Sequence, residues 1–111
     1  VVAAAVKYES LFLRLVANTA EPENDRACWV WIAAIDDRPG RGYPRINLRI
    51  NGKHRSLRAH RVMAQEFHPE PLTEKDEVDH LCFNPKCINP DHLEVVTKKV
   101  NMARSWARRR A

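Results

Sequence analysis

At 111 residues with a formal net charge of +5, the chain has room for one domain with a modest core, small enough that a cross-link or a metal is expected to reinforce it. Hydrophobic residues at 44% and charged residues at 30% fit a folded globular chain and exclude a disordered one. Lys7, Glu9 and Arg14 break the apolar stretches Val1–Val6 and Leu11–Ala17 well short of the ~18 residues of a membrane span. The opening VVAAAV has no basic segment or initiating Met before it, so it is expected to be a trimmed start or a first helix rather than a secretion signal.

Tyr8, Leu11 and Leu15 fall at helical spacing and predict an amphipathic helix over 5–17 that closes one side of the core. The polar, Pro-containing stretch 18–26 reads as a loop. Cys28–Ile32, aromatic and β-branched, predicts a short strand, and 36–42 a turn. Tyr43–Ile50 alternates, with Ile46, Leu48 and Ile50 on one face and Arg45, Asn47 and Arg49 on the other. Asn51-Gly52 is a strong hairpin signal, with Lys53–Ala59 as the return strand presenting its basic residues beside those of its partner. His60–Phe67 predicts a short helix burying Val62, Met63 and Phe67, and a loop with Pro69 and Pro71 follows. Short strands are expected at Val78–Leu81 and Leu93–Val96. Thr97 is a good N-cap for a last helix with Val100, Ala103 and Ala107 turned inward.

Charge is segregated along the chain. Arg38–Gln65 and Lys98–Arg110 carry Lys and Arg without an acid, whereas Glu66–Glu94 is acidic apart from Lys75 and Lys86. Basic flanks around an acidic centre suit a phosphate backbone outside and a divalent cation inside. A plainly solvated basic surface is the other reading.

Between Glu77 and Asn101 the chain gathers Asp79, His80, Cys82, Cys87, Asn89, His92 and Asn101, a density of ligands and proton acceptors that packing alone does not require. In Asp79-His80 an acid adjoins a base at a strand end. The carboxylate can hold Mg²⁺ or Mn²⁺ while a neutral imidazole takes a proton from water. Asn101, early in the last helix, has an amide oxygen that can complete the shell of that cation, or it is an exposed helix residue. Cys82, Cys87 and His92 supply three ligands of a tetrahedral zinc, and Cys28 is the remaining soft candidate. Three cysteines cannot all pair with one another, which favours thiolates on a metal over a disulfide framework. Buried free thiols are the alternative.

The run RAHRVMAQEF followed by EVDHLCFNPKCINPDHLEVVTKKVN resembles the HNH endonucleases, in particular their phage and homing-type branch. The upstream CWVW, GYPRI and hairpin are also similar, so the resemblance extends over roughly residues 26–104. It implies the ββα-metal fold, in which two strands and a helix grip one divalent cation. It implies His80 as general base and Asp79 as first metal ligand. The second ligand is Asn101 or His92, and Asn101 is preferred because it leaves His92 for zinc with Cys28, Cys82 and Cys87. Asn89 would fix the loop through backbone hydrogen bonds. His60 and Arg61 match an HR pair, with Arg61 on phosphate or in a structural ion pair. Where relatives carry an acid before the helix Asn, this chain has Val100.

The expected fold is a small α+β domain over 1–111, with an N-terminal helix and loop (1–25), a strand and basic hairpin (26–59) and a zinc-stapled HNH core (60–110). The expected activity is metal-dependent DNA cleavage, nicking with low sequence specificity. Arg45, Arg49, Lys53, Arg55, Arg58 and Arg61, with Lys98, Lys99, Arg104 and Arg108, would hold the DNA. A cytoplasmic, intracellular setting is expected, the resemblance implies a phage-encoded one, and monomer and homodimer stay open. A non-catalytic zinc module that binds nucleic acid is the alternative, and an RNA-directed nuclease or toxin would use the same chemistry.

Overall fold

In the computed structural model, which describes residues 11–36 and 42–110, two antiparallel hairpins sandwich a short helix. The first hairpin forms because Asn51 and Gly52 take φ of 51° and 78°, the left-handed pair that matches the twist of the flanking strands. It joins β1 (Arg45–Ile50) to β2 (Lys53–Arg58). Directly opposed residues share a face, so the register Arg45↔Arg58, Ile46↔Leu57, Leu48↔Arg55 sorts the basic residues onto both sides. Arg45, Arg49 and Arg58 lie on one face. Lys53 and Arg55 instead share the face of Leu48 and Ile50, so the expected single basic surface on this hairpin is divided.

The first helix, α1, is described over 11–17; Tyr8 and the rest of its expected N-terminal half lie outside the described residues. Its Leu15 is fully buried with Trp31, Ile46, Ala59, Met63 and Ile88, and this cluster is the core. Helix α2 (Ala59–Phe67) starts directly from β2 and packs on both hairpins. Met63 points inward as expected, but Phe67, at its last turn, is 61% exposed and makes a T-shaped contact with Phe12, 6.1 Å between centroids. Cys28–Ile32 does not form a strand. Its backbone makes isolated bridges, Trp31 to Thr19 and Val30 to Cys87, so its pairing is split between two segments and no ladder forms. Most of the expected turn at 36–42 lies outside the described residues.

The second hairpin, β3 (Asp76–His80) with β4 (Leu93–Thr97), is joined by a long loop that ends in a single 3₁₀ turn at Pro90–His92. Helix α3 (Lys98–Arg110) leaves β4 at once, and Thr97 caps it by accepting a hydrogen bond from the Val100 N–H at 3.2 Å. Its inward face differs from the expected one. Val100 is 41% exposed, and Ala103 and Ala107 also face solvent. Asn101, Arg104 and Arg108 turn toward β3 instead, since carboxylates there offer charged partners that outweigh the small gain from burying two alanines. No helix among the described residues is long and apolar enough to cross a membrane.

A Cβ added at Gly52 would meet nothing within 4 Å, so Gly52→Ala tests backbone conformation alone. It should cost about 1 kcal/mol, the usual penalty for an L-residue in left-handed space, seen as a lower urea midpoint at unchanged slope. An unchanged midpoint would show that the turn does not set the register.

Candidate active site

Strand alternation places Glu77 and Asp79 on the face of β3 that looks at α3. On the helix, Asn101, Arg104 and Arg108 form a matching stripe at helical spacing. The Asn101 amide donates to the Glu77 carboxylate. Asp79, only 4% exposed, accepts from Arg108 Nη1 at 3.1 Å, Arg108 Nη2 at 2.9 Å and Arg104 Nη1 at 3.1 Å. The second Arg104 nitrogen reaches Glu94, opposite Asp79 in the β ladder, at 2.8 Å. Burial pushes the Asp79 carboxyl up, but the Arg108 and Arg104 guanidiniums outweigh it and hold it below the usual carboxylate range. Asp79 is therefore an anion at neutral pH.

His80 is 9% exposed and its Nε2 is buried without a hydrogen-bond partner among the described residues. Its ring lies 4.6 Å from that of His60, and the Tyr43 ring stacks on both, 5.5 Å from His60 and 6.4 Å from His80. The Arg58 guanidinium covers the far partner of this stack, 4.7 Å from the Tyr43 centroid. Burial lowers the pKa of His80, against a hydrogen bond to the Cys87 backbone and the neighbouring Asp79 charge. A neutral imidazole with a free nitrogen is a proton acceptor in waiting. Asp79, His80 and Asn101 line one cleft of about 400 Å³ with Tyr43, Phe83 and Arg108. Its donors, a carboxylate and an amide oxygen, are the hard oxygen ligands that divalent Mg²⁺ or Mn²⁺ prefers.

A second constellation lies in the loop that joins β3 to β4. The ligand atoms of Cys28, Cys82, Cys87 and His92 all fall within 4.8 Å of one another. His92 Nδ1 is 3.5 Å from Cys87 Sγ and 3.6 Å from Cys28 Sγ. Burial pushes the Cys87 thiol up to about 12 and raises that of Cys28. Without a cation these thiols stay protonated in a crowded space; with one, three thiolates and an imidazole make a soft tetrahedral set. Asn89 builds the loop around them. Its side chain accepts from the Asp91 N–H at 3.0 Å and donates to the Ala27 carbonyl at 2.9 Å, tying the ligand loop to the segment that carries Cys28.

The basic residues expected to hold DNA divide by environment. Arg61 donates to the carbonyls of Asp76 at 2.7 Å and Thr73 at 2.6 Å, so it anchors the loop before β3. Arg45 faces Asp36 at 3.6 Å. Arg49, Lys53, Arg55, Lys98 and Lys99 are exposed. Lys98 shares a polar cleft of about 290 Å³ with Arg58, His60, Glu77 and Asn101, next to the first. Sequence reasoning missed Glu77 and Tyr43. Strand alternation from Asp79 points to Glu77; no local signal points to Tyr43, whose ring meets His60 and His80 only in the fold.

Burial, with the charges of His80, Arg58 and Arg61, pushes His60 down to about 3. An unfolded imidazole binds its proton near pH 6.5 but the folded one does not, so this group's contribution is complete above ~6.5 and is lost progressively down to ~3, at ~1.4 kcal/mol per pH unit. Between about pH 7 and about pH 5 the wild type should lose about 2 kcal/mol more than His60→Gln, measured by urea unfolding. Parallel losses would show that His60 is not neutral in the fold.

Residues 57–103 match the HNH endonuclease family. Protein 2.8 of Escherichia phage T7 is 36% identical over 74 residues, 67% of this chain and 45% of that protein. The solved structure of DNA binding and cleavage by the HNH homing endonuclease I-HmuI matches with a TM-score of 0.52 and 34% identity, covering 63% of this chain and 40% of that one. The chain thus spans less than half the length of each of these relatives. Sequence family and fold point the same way: residues 57–103 match the HNH endonuclease family, and the fold is similar to that of an HNH homing endonuclease.

Proposed function

We propose that the chain is a metal-dependent DNA endonuclease that nicks one strand with low sequence specificity. The observation that carries this reading is the buried Nε2 of His80, without a partner among the described residues, beside an ionised Asp79 in one cleft. A Mg²⁺ or Mn²⁺ ion on Asp79 and the Asn101 amide oxygen would supply Lewis acidity toward the scissile phosphate and the leaving 3′ oxygen. His80 takes the proton from the attacking water, and Tyr43 and His60 hold its ring by stacking. Exposed Arg49, Lys53, Arg55, Lys98 and Lys99 follow the phosphate backbone, and Arg45, Arg58, Arg61, Arg104 and Arg108 reach it from positions that already have intramolecular partners. One such site cuts one strand, so a double-strand break takes two copies or two events. The phage relative supports a phage-encoded, intracellular setting, and monomer or homodimer are both compatible with the reading.

Zinc is the cation we assign to Cys28, Cys82, Cys87 and His92, because three sulfurs and a nitrogen are soft ligands in tetrahedral number. The distances of His92 Nδ1 to two of the sulfurs favour His92 as a zinc ligand over a role beside Asp79. One observation favours the alternative of a zinc-stapled, non-catalytic DNA-binding module: Asp79 is already satisfied by two arginines.

Two experiments decide. Supercoiled plasmid should convert to open circle in Mg²⁺ or Mn²⁺, stop with EDTA, and convert at least ~100-fold more slowly with His80→Ala, whose DNA affinity stays within about threefold of wild type. Plasmid that is shifted but never cut in any metal would establish the binding module. Elemental analysis should find zinc equimolar with the chain as purified; Cys87→Ser should lose it along with cooperative unfolding. A metal-free wild type that unfolds cooperatively would remove zinc from the account.

A further inference from the structure

Asp79 presents a problem that its proposed role does not explain. A carboxylate only 4% exposed is expensive to leave uncompensated, and α3 compensates it with two guanidiniums through three hydrogen bonds. A divalent cation approaching that carboxylate meets two positive charges already there. Cation and arginines therefore compete for the same oxygens.

Each arginine has somewhere else to go. Arg104 is already shared with Glu94, whose side chain is 46% exposed, so it can release Asp79 without losing an anionic partner. Arg108 has its guanidinium carbon 4.3 Å from the centroid of the Phe83 ring, at the lip of the same cleft. Guanidinium can keep that stacking contact while turning its donor fork outward, and a phosphodiester matches the fork at least as well as a carboxylate does. Phe83 itself holds φ at 63°, unusual for a bulky residue.

We propose that Arg104 and Arg108 are exchangeable counterions: in the free protein they neutralise Asp79, and on a bound strand they transfer to its phosphates and free the carboxylate for the catalytic cation. This inference rests on the reading of Asp79 as a metal ligand. Its consequence is a positive coupling between DNA and cation. Each makes room for the other, so the cation site is weak until substrate arrives, and by reciprocity the cation tightens DNA binding by the same factor. The two arginines act here as positioning residues; neither touches the reacting water.

The coupling is measurable without cleavage. Mn²⁺ binding to the zinc-loaded 111-residue chain can be followed by loss of the free-ion EPR signal. Arg108→Gln and Arg104→Gln should each tighten Mn²⁺ by about fivefold or more in the absence of DNA, within the ordinary range of coupling between sites. A second arm needs no arginine substitution: His80→Ala protein should bind Mn²⁺ more tightly with a short duplex than alone, by a similar factor. If Asp79→Ala loses Mn²⁺ but the arginine variants bind it no tighter and the duplex has no effect, the exchange is wrong while Asp79 remains a ligand. If Asp79→Ala binds Mn²⁺ as the wild type does, both the exchange and the ligand assignment fall.

Discussion

The contact on which the site depends is the ion cluster between the end of β3 and the inner face of α3. Asp79 is pulled below the surface by the hairpin register, and α3 is held against the hairpin by the arginines that answer it. Helix α3 buries none of its residues, so apolar area contributes little to its attachment. Charge-assisted hydrogen bonds have to replace it, which is why the helix shows its polar stripe inward and its Val100, Met102 and Trp106 outward. The same stripe brings Asn101 to the cleft. The Asn101 bond to Glu77 and the Arg104 pair with Glu94 hold the helix there independently of Asp79.

The remaining half of the site depends on the loop between β3 and β4. A loop of this length carries little regular structure, yet Cys82, Cys87 and Ile88 must sit where the fold requires them. Backbone pairing of Trp31 with Lys86 and of Ile88 with Trp29 sets one side of it, and the Asn89 side chain sets the other. The thiols close the arrangement only if a cation is present to ionise them, since burial alone drives Cys87 far above neutrality. His80 leads directly into this loop and has a hydrogen bond to the Cys87 backbone. A soft-metal staple in the loop would therefore also fix the His80 ring proposed to accept the proton.

Local signals were the reliable ones. Asn51-Gly52, the Thr97 cap and the alternation of Ile46 and Leu48 act over a few residues, and each produced the expected turn, helix start or strand. Features that depend on a distant partner were legible only in part. Cys28 is the soft candidate left over beside Cys82, Cys87 and His92, and its neighbours lie far along the chain. The inward face of α3 is set by the buried carboxylate opposite it, a partner that the helix's own apolar spacing does not register. Cys28–Ile32 has strand composition, but its pairing is split between Thr19 and Cys87, and no single segment runs beside it. Tyr43 over His60 and His80 is a product of tertiary packing with no periodic trace.

The central claim is that Asp79 and His80 direct water at a phosphodiester with a divalent cation bound. Cleavage in ¹⁸O-labelled water with Mg²⁺, followed by mass spectrometry of the ends, tests it most directly. The account predicts 3′-hydroxyl ends and 5′-phosphates carrying one solvent-derived ¹⁸O in a single-turnover reaction. Unlabelled phosphate, or 3′-phosphate ends, would contradict it by showing that water activated in this cleft is not the nucleophile or that the 3′ oxygen does not leave.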